Sequence, residues 1–317
     1  NGIFSAAGEP LDLAWGLFMG VGLLLAYFIV PSISDKTENI VGYLLRVCLI
    51  VGLMICAEEW ILMGRLAADG MLLELDEAGK WTGGFVRDYQ VLGWGVSTYA
   101  AGMLAILIAP TMALAYSNRR GVWYYLAAVV MFLTIILLNA RTAMLMGGII
   151  LLACMIICFF GTNRKQNRIV FAAIVAAALV CVAGIWAVMG TNDFFGFIAE
   201  MLRFDQGDNH RFERWANGWK DFLSAPVFGV GFMDGAATDP SMYSNMYHNI
   251  FVQLIGALGV FGLLAFLFHI IQVAVLCVRK FRLERFLVLL GAAAVILTSL
   301  LDNFFFFFSI QLFYGAF

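Results

Sequence analysis

Charged residues are scarce in this sequence. Asp, Glu, Lys and Arg make up 13% of its 317 residues, hydrophobic residues make up 63%, and the mean hydropathy is +0.91. This balance excludes the class of soluble globular domains and indicates an integral membrane protein of many helices. The net charge of −2 comes without a long basic or acidic run. We therefore expect no nucleic-acid partner, because binding nucleic acid needs a concentrated positive face.

Several motifs of catalytic chemistry are absent as well. The sequence contains no HExxH, no paired CxxC, no P-loop and no GxSxG motif. Metalloprotease, zinc, nucleoside-triphosphate and serine-hydrolase chemistry thus have no support, and we expect neither a metal nor another cofactor. The polar loops contain no cysteine, so a disulfide or zinc site is not expected there. We interpret the six cysteines as small core residues of apolar segments: Cys48, Cys56, Cys154, Cys158, Cys181 and Cys277.

Carboxylates are rare inside the apolar segments. Glu58 and Glu59 lie near the outer end of the second segment, and Asp302 lies near the outer end of the last. Proton-coupled transport generally uses a carboxylate near the membrane centre. This pattern therefore weakens an interpretation as a proton-coupled transporter.

Long apolar runs are abundant. A helix needs about 20 apolar residues to cross the hydrocarbon core, with its backbone satisfied inside the segment. The runs predict an all-α fold, a polytopic transmembrane helix bundle in a single integral membrane domain over residues 1–317, with further spans expected ahead of Asn1. About eight spans are predicted by this criterion: 13–31, 40–62, 91–116, 122–140, 142–161, 168–190, 248–277 and 284–303, with a phenylalanine-rich tail from Phe304 that can extend the last.

Lys and Arg are concentrated in three short connections that fall on one side of the membrane by parity. Short basic loops stay in the cytoplasm, so the loops 63–90 and 191–247 are predicted to lie outside, with Arg141 at the outer membrane face. The basic residues that decide this orientation are Arg119, Arg120, Arg164, Lys165, Arg168, Arg279, Lys280, Arg282 and Arg285.

The loop 191–247 is predicted to be partly helical. Residues 209–224 have the pattern of an amphipathic helix, with Asp208 or Asn209 as its cap and Pro226 after its end. We expect this helix to lie along the membrane interface, where Trp is common. Its aromatic residues at helical spacing are Phe212, Trp215, Trp219 and Phe222.

Glycines mark the end of this loop and the next span. Gly229 and Gly231 allow a tight backbone turn. On the seventh span, Gly256, Gly259 and Gly262 recur at a spacing of three residues, which indicates close helix contact.

Arginines of the outer side are the first candidates for chemistry. Arg141 follows Asn139 at the end of an apolar helix, where an arginine either snorkels to water or meets an anion. Arg211 and Arg214 begin the loop helix, where a guanidinium can grip a phosphate with two hydrogen bonds and the helix dipole attracts anions. Each of the latter two, taken alone, can equally be a solvated arginine.

His248 is the candidate base, since it lies where the loop re-enters the membrane. A neutral imidazole there can take a proton from a sugar hydroxyl near neutral pH without a metal. The alternative is an interfacial histidine that is hydrogen-bonded to water. Asn249 and Gln253 share one helix face and can orient a substrate or simply cap and pack.

These elements together resemble the O-antigen ligase and polymerase family of bacterial inner-membrane glycosyltransferases. The resemblance extends over residues 80–270. It is carried by the start at Arg211 to Trp215, the Ala-Pro-Val-Phe-Gly-Val-Gly turn at 225–231, Tyr-His-Asn at 247–249 with the glycines that follow, and Asn-Ala-Arg-Thr-Ala at 139–143. Thr82 to Phe85 is a weaker similarity.

The resemblance implies an undecaprenyl-diphosphate-linked glycan as donor, held at the periplasmic face. Arg141 and Arg211 would bind its diphosphate, and His248 would activate or position the acceptor hydroxyl in an inverting, metal-independent transfer. We also expect substrate contacts from the residues beside them: Arg214, Trp215, Asn249, Gln253, Gly229 and Gly231.

Three hypotheses of function are compatible with these residues, and the first two differ in the acceptor. A polymerase transfers the glycan to another lipid-linked repeat unit, with a chain-length regulator as its partner, and the compact outer loop favours it slightly. A ligase transfers the glycan to lipid A core. From a different class, a flippase would bind the same lipid and form no glycosidic bond.

Overall fold

The computed structural model describes a large part of the chain. The described residues are 21–29, 32, 40–71, 73–75, 81–85, 91–92, 95–118, 121–161, 165–189, 196, 211–231, 247–279, 281–302, 304–306 and 308–317. The chain divides into two compact units, Val41–Gly207 and a second unit of Asn1–Ile40 with Asp208–Phe317.

The unit Val41–Gly207 is built from apolar helices around a buried one. Its helices are α1 (Ile40–Ala68), α2 (Ser97–Ser117), α3 (Val122–Leu137), α4 (Arg141–Gly161) and α5 (Lys165–Met189). Helix α2 is buried almost throughout, even around Pro110. Glycines let its neighbours approach, since a Cβ at Gly147 of α4 would lie 3.1 Å from Ile135 and 3.4 Å from Ala105.

Two short hairpins lie between α1 and α2. Strand β1 (Leu73–Leu75) pairs antiparallel with β2 (Trp81–Phe85), and β3 (Val91–Leu92) pairs antiparallel with β4 (Gly95–Val96). The third predicted span is therefore wrong at its start, because helix begins at Ser97 and not at residue 91. Residues 91–96 are apolar enough for a span, but glycine-rich apolar sequence also suits a tight hairpin.

The second unit contains the loop helix and the last spans. Its elements are α6 (Arg211–Ser224), α7 (Ile250–Arg279), α8 (Leu283–Thr298), the 3₁₀ helix Phe304–Phe306 and α9 (Phe308–Ala316), with residues 21–29 also helical. The predicted loop helix is confirmed over 211–224, whereas its proposed caps Asp208 and Asn209 lie outside the described residues.

The phenylalanine-rich tail does not extend the last span. Helix α8 ends at Thr298, not at residue 303, and the tail forms separate short helices. A local cause is visible in the hydrogen bonds of Ser299. Its Oγ accepts the N–H of Phe305 at 2.8 Å, and its carbonyl accepts the N–H of Ile250 at 2.8 Å, so the chain is tied into a bend there.

The fold class is confirmed: the protein is a polytopic helical membrane protein. Within the described part of the chain, four helices are long and apolar enough to cross a membrane by length and composition, and three shorter helices are apolar. Each of the seven coincides with one predicted span: Ile40–Ala68, Ser97–Ser117, Arg141–Gly161, Ile250–Val275, Val122–Leu137, Arg168–Gly184 and Arg285–Thr298. Of the first predicted span, 13–31, only residues 21–29 are described.

Candidate active site

Helix α6 has two different faces. Arg211, Arg214, Gly218 and Asp221 are spaced by three, four and three residues, so they lie along one side of the helix. Gly218 and Asp221 of this side are buried. The opposite side carries large apolar side chains that are more than half exposed: Phe212, Trp219 and Leu223.

The arginine face of α6 packs on the start of α7. A Cβ added to Gly218 would lie 2.5 Å from Cγ1 of Val252 and 3.0 Å from Cδ1 of Tyr247, and one added to Gly256 would lie 3.2 Å from the Gly218 carbonyl oxygen. Arg214 is one turn, about 6 Å, from this contact, toward the N-terminal end of α6. Arg211 and Arg214, which we predicted to be either solvated or anion-binding, thus lie on the side of α6 that faces the entry to α7.

The turn after α6 is inserted into a break in α7. At Gly259 the backbone is not helical, with φ 65° and ψ −163°. The carbonyls of Gly256 and Ala257, which would otherwise accept helical hydrogen bonds, accept the N–H groups of Val230 and Gly231 at 3.0 Å each. Non-helical backbone is tolerated in a membrane helix when such partners satisfy it.

The other side of the break is satisfied by the same turn. The N–H groups of Val260 and Phe261 donate to the carbonyls of Pro226 and Val227 at 2.9 and 3.3 Å. A Cβ at Gly259 would meet the Val227 carbonyl oxygen at 2.4 Å, so only glycine permits this approach. The predicted close contacts of the seventh span are found at Gly256, which approaches α6, and at Gly259, which approaches this backbone turn, whereas a Cβ at Gly262 would meet only Leu258 of the same helix.

The two turn glycines have structural tasks. Gly229 has φ +73° and donates its N–H to the Ala225 carbonyl at 2.8 Å, while the Gly231 N–H is bonded to Ala257. A Cβ at Gly229 would lie 2.3 Å from the Ala257 carbonyl carbon. The N–H groups that we predicted for substrate contact already donate to carbonyls of the chain, and a substrate contact of these glycines stays a prediction.

The entry to α7 is fixed on both flanks of His248. Asn249 caps the helix, since its Oδ1 accepts the N–H groups of Phe251 and Val252 at 2.9 and 3.2 Å, while its Nδ2 donates to the Leu300 carbonyl at 2.9 Å. On the other flank, the Tyr247 N–H donates to Oε1 of the buried Gln253 at 3.0 Å.

The Tyr247 side chain reaches back to α6. Its hydroxyl donates to Oδ2 of Asp221 at 2.5 Å, and both residues are buried. Burial raises the pKa of the Tyr247 phenol, and the hydrogen bond and charge of Asp221 raise it further. The phenol therefore stays protonated and remains the donor.

His248 forms a dyad with Asp302. The distance between His248 Nδ1 and Asp302 Oδ1 is 2.9 Å, and the two side chains are 31% and 11% exposed. An ionised carboxylate only accepts hydrogen bonds, so a neutral His248 carries its proton on Nδ1. Nε2 is then left with a lone pair, which is the arrangement of an oriented general base. His248 also has a left-handed backbone, with φ 52°, a strained conformation that clusters at functional sites.

Two donors of α6 have no acceptor among the described residues. Nε of Arg214 and Nε1 of Trp215 are buried, and no described atom accepts a hydrogen bond from either of them. A buried unsatisfied donor costs roughly 1–3 kcal/mol, and an anionic oxygen is the group that would best satisfy a guanidinium. This observation fits a phosphate-bearing ligand at the arginine face.

Residues 126–267 match the family described as O-Antigen ligase. The matched segment has 142 of the 317 residues and is similar to that family. The match supports membrane glycosyltransferase activity of the ligase or polymerase type, with a lipid-linked glycan donor and an acceptor at a membrane. No curated protein and no solved structure matches the chain.

The matched segment 126–267 contains every site residue that we predicted. It brings Arg211 and Arg214 onto the face of α6 that packs on the entry to α7, where His248 lies. Arg141 belongs to the other unit, where it is half-buried at the first position of α4. Asn139, in the turn that precedes α4, has φ 51°.

Three residues of the site did not enter the sequence prediction as site residues. Asp302 lies 54 residues after His248 and beyond the matched segment 126–267. The sequence did contain a signal for Asp302, because counting the predicted spans puts the outer end of the last span on the same side of the membrane as His248. Asp221 and Tyr247 offered no such signal, because their pairing depends on how α6 packs against α7.

Proposed function

We propose that this protein is a periplasmic-face glycosyltransferase that uses an undecaprenyl-diphosphate-linked glycan as donor. The single observation that carries the proposal is the His248–Asp302 dyad at 2.9 Å. It lies at the entry to α7, against which the arginine face of α6 packs. A base beside cationic donors suits the transfer of a sugar from a diphosphate.

The proposed step is an inverting displacement. The oxygen of the acceptor hydroxyl attacks the anomeric carbon, and the bond from that carbon to the phosphate oxygen breaks. His248 Nε2 takes the hydroxyl proton, and Asp302 stabilises the imidazolium that forms. The bonding electrons leave with the diphosphate, whose added negative charge is offset by Arg211 and Arg214.

The remaining site residues have supporting tasks in this proposal. Arg141 is a further diphosphate ligand, and Trp215 Nε1 offers a donor to a phosphate or sugar oxygen. Asn249 and Gln253 hold the backbone on either side of His248, through the capping of α7 and the bond to Tyr247. Because arginines can offset the developing charge, the proposed step requires no metal ion.

Loss-of-function variants test the proposal. In membranes supplied with a lipid-linked glycan, we expect His248→Ala and Arg211→Ala each to lower transfer by a factor on the order of 10² or more. Arg46→Ala is a matched control, because Arg46 is exposed on α1 of the other unit. Near-normal transfer by both site variants would contradict the proposed step.

The product distinguishes the acceptors. The compact outer loop favours a polymerase, whose product is a ladder of lengthening glycan on undecaprenyl diphosphate. The family description favours a ligase as the second candidate, and its product is glycan attached to lipid A core. Translocation in vesicles without a new glycosidic bond would indicate a flippase, in which the dyad would have no proton to take.

A further inference from the structure

We propose that Asp221 and Tyr247 are positioning residues that fix the arginine face of α6 relative to the His248 imidazole. The inference rests on the proposed function for its kinetic consequence. Its structural content is independent of that function: the Asp221–Tyr247 hydrogen bond holds the backbone beside His248 in place.

One side of α6 carries both Asp221 and the two arginines. Asp221 follows Arg211 and Arg214 by ten and seven residues, so it lies on their face of the helix. Whatever fixes Asp221 therefore also fixes the rotation of α6 about its axis, and with it the direction of both guanidinium groups.

The hydrogen bond between Asp221 and Tyr247 is short and buried. Asp221 is 5% exposed and Tyr247 is 3% exposed, and their oxygens are 2.5 Å apart. Hydrogen bonds to an ionised acceptor are shorter and stronger than those between neutral groups. The raised pKa of the Tyr247 phenol keeps its proton in this bond at neutral pH.

Tyr247 is the chain neighbour of His248, the proposed base. Tyr247 directly precedes His248, and its own N–H is held by Gln253. The His248 backbone is in the left-handed region, which a histidine occupies only when its neighbours hold it there. Releasing the Tyr247 side chain would allow residue 248 to relax, and its ring would then leave Asp302.

The experiment compares Tyr247→Phe in the full protein with a conservative and a truncating variant of Asp221. Tyr247→Phe removes only the hydroxyl, Asp221→Asn keeps an acceptor for it, and Asp221→Ala removes the acceptor. Tyr43→Phe and Asp69→Asn are matched controls, since both residues are exposed in the other unit. Thermal unfolding in the same lipid or detergent verifies that each variant is folded.

The kinetic readout separates positioning from general support. We expect Tyr247→Phe to lower kcat by about 10- to 100-fold, since a displacement of about 1 Å at a reacting group costs that much. The KM for the lipid-linked donor should change less than kcat does, because both arginines remain on α6 and move together with the diphosphate that they bind, whereas the His248 imidazole does not move with them. Asp221→Asn should retain more activity than Asp221→Ala. Unchanged kcat in Tyr247→Phe, or a loss of kcat no larger in Asp221→Ala than in Asp221→Asn, would overturn the inference.

A second readout needs no transfer activity. Diethyl pyrocarbonate modifies accessible neutral imidazoles, and mass spectrometry resolves His248 from His210 and His269. We expect the rate of His248 modification to differ at least about threefold between Tyr247→Phe and Tyr43→Phe, because a ring that leaves Asp302 changes in exposure and in the basicity of Nε2. Equal rates would overturn the positioning inference even if glycan transfer is confirmed. A changed rate of modification in a protein that transfers no glycan would support the positioning inference and reject the proposed function instead.

Discussion

Replacing Gly259 with alanine should release the turn at 225–231 from α7. A Cβ at this position would lie 2.4 Å from the Val227 carbonyl oxygen, 2.5 Å from its carbonyl carbon and 2.7 Å from the Gly229 nitrogen. All three are backbone atoms, so no side chain can rotate away. The backbone at Gly259, with φ 65° and ψ −163°, also lies in a region that costs a non-glycine residue about 1–3 kcal/mol.

The backbone strain and the helix preference of alanine set the size of the effect. Docking uses four hydrogen bonds between the turn and α7, whereas a continuous α7 would recover two, from Val260 to Gly256 and from Phe261 to Ala257. This net of two bonds, about 1–3 kcal/mol, favours docking equally in the wild type and in the variant. Relative to the wild type, alanine strains the docked state by about 1–3 kcal/mol and stabilises a regular helix in the undocked state by about 1 kcal/mol. We therefore expect Gly259→Ala to weaken docking by at least about 2 kcal/mol, which is roughly 30-fold in the equilibrium constant.

Hydrogen exchange measures this directly. The Val230 and Gly231 amides donate to α7, so their exchange reports undocking of the turn. We expect Gly259→Ala to accelerate their exchange by roughly 30-fold with little change in the middle of α2. Gly64→Ala is the matched control, because no described atom outside the backbone of its own helix turn and its chain neighbours lies within 4 Å of a Cβ there. Equal protection of the two amides in Gly259→Ala and wild type would refute this account of the break.

Two further predictions concern the dyad and its neighbour. Asp302→Asn keeps the size and an acceptor but removes the charge that stabilises an imidazolium, so kcat should fall by a factor on the order of 10² with the donor KM unchanged. Normal kcat, with Asp69→Asn as control, would contradict the assigned base. Because the pKa of Tyr247 is raised, its contribution to the free energy of unfolding should be constant near neutral pH. That contribution should decline only above about pH 10, where an unfolded tyrosine ionises. A difference between wild type and Tyr247→Phe that already changes between about pH 6 and 8 would show that another group controls the bond.

The helices could be predicted because their cause is local. A run of about 20 apolar residues has few alternatives in a membrane, and seven predicted spans coincide with observed apolar helices. The error at residues 91–96 arose because hydropathy does not distinguish an apolar hairpin from the first turns of a helix. The end of α8 was missed for a related reason, since the Ser299 carbonyl accepts the N–H of Ile250, which is distant in sequence.

The site residues likewise divide into those that the sequence could predict and those that depend on packing. Arg211, Arg214 and His248 were selected as rare polar residues at the edges of apolar segments, which is a property of composition and position. The Asp302 contact and the Asp221–Tyr247 bond join residues that are 54 and 26 positions apart. Likewise, the roles of Gly229 and Gly259 depend on each other, because each admits the backbone of the other segment. Such pairings follow only from the packing of α6 on α7.

A structure of the protein with a polyprenyl-diphosphate-linked sugar bound would test the central claim most directly. We predict phosphate oxygens within about 3 Å of the Arg211 or Arg214 guanidinium, and the anomeric carbon on the side of His248 Nε2, leaving room for one acceptor hydroxyl between them. A diphosphate bound away from α6, or an anomeric carbon that His248 Nε2 cannot reach through one hydroxyl, would contradict the account.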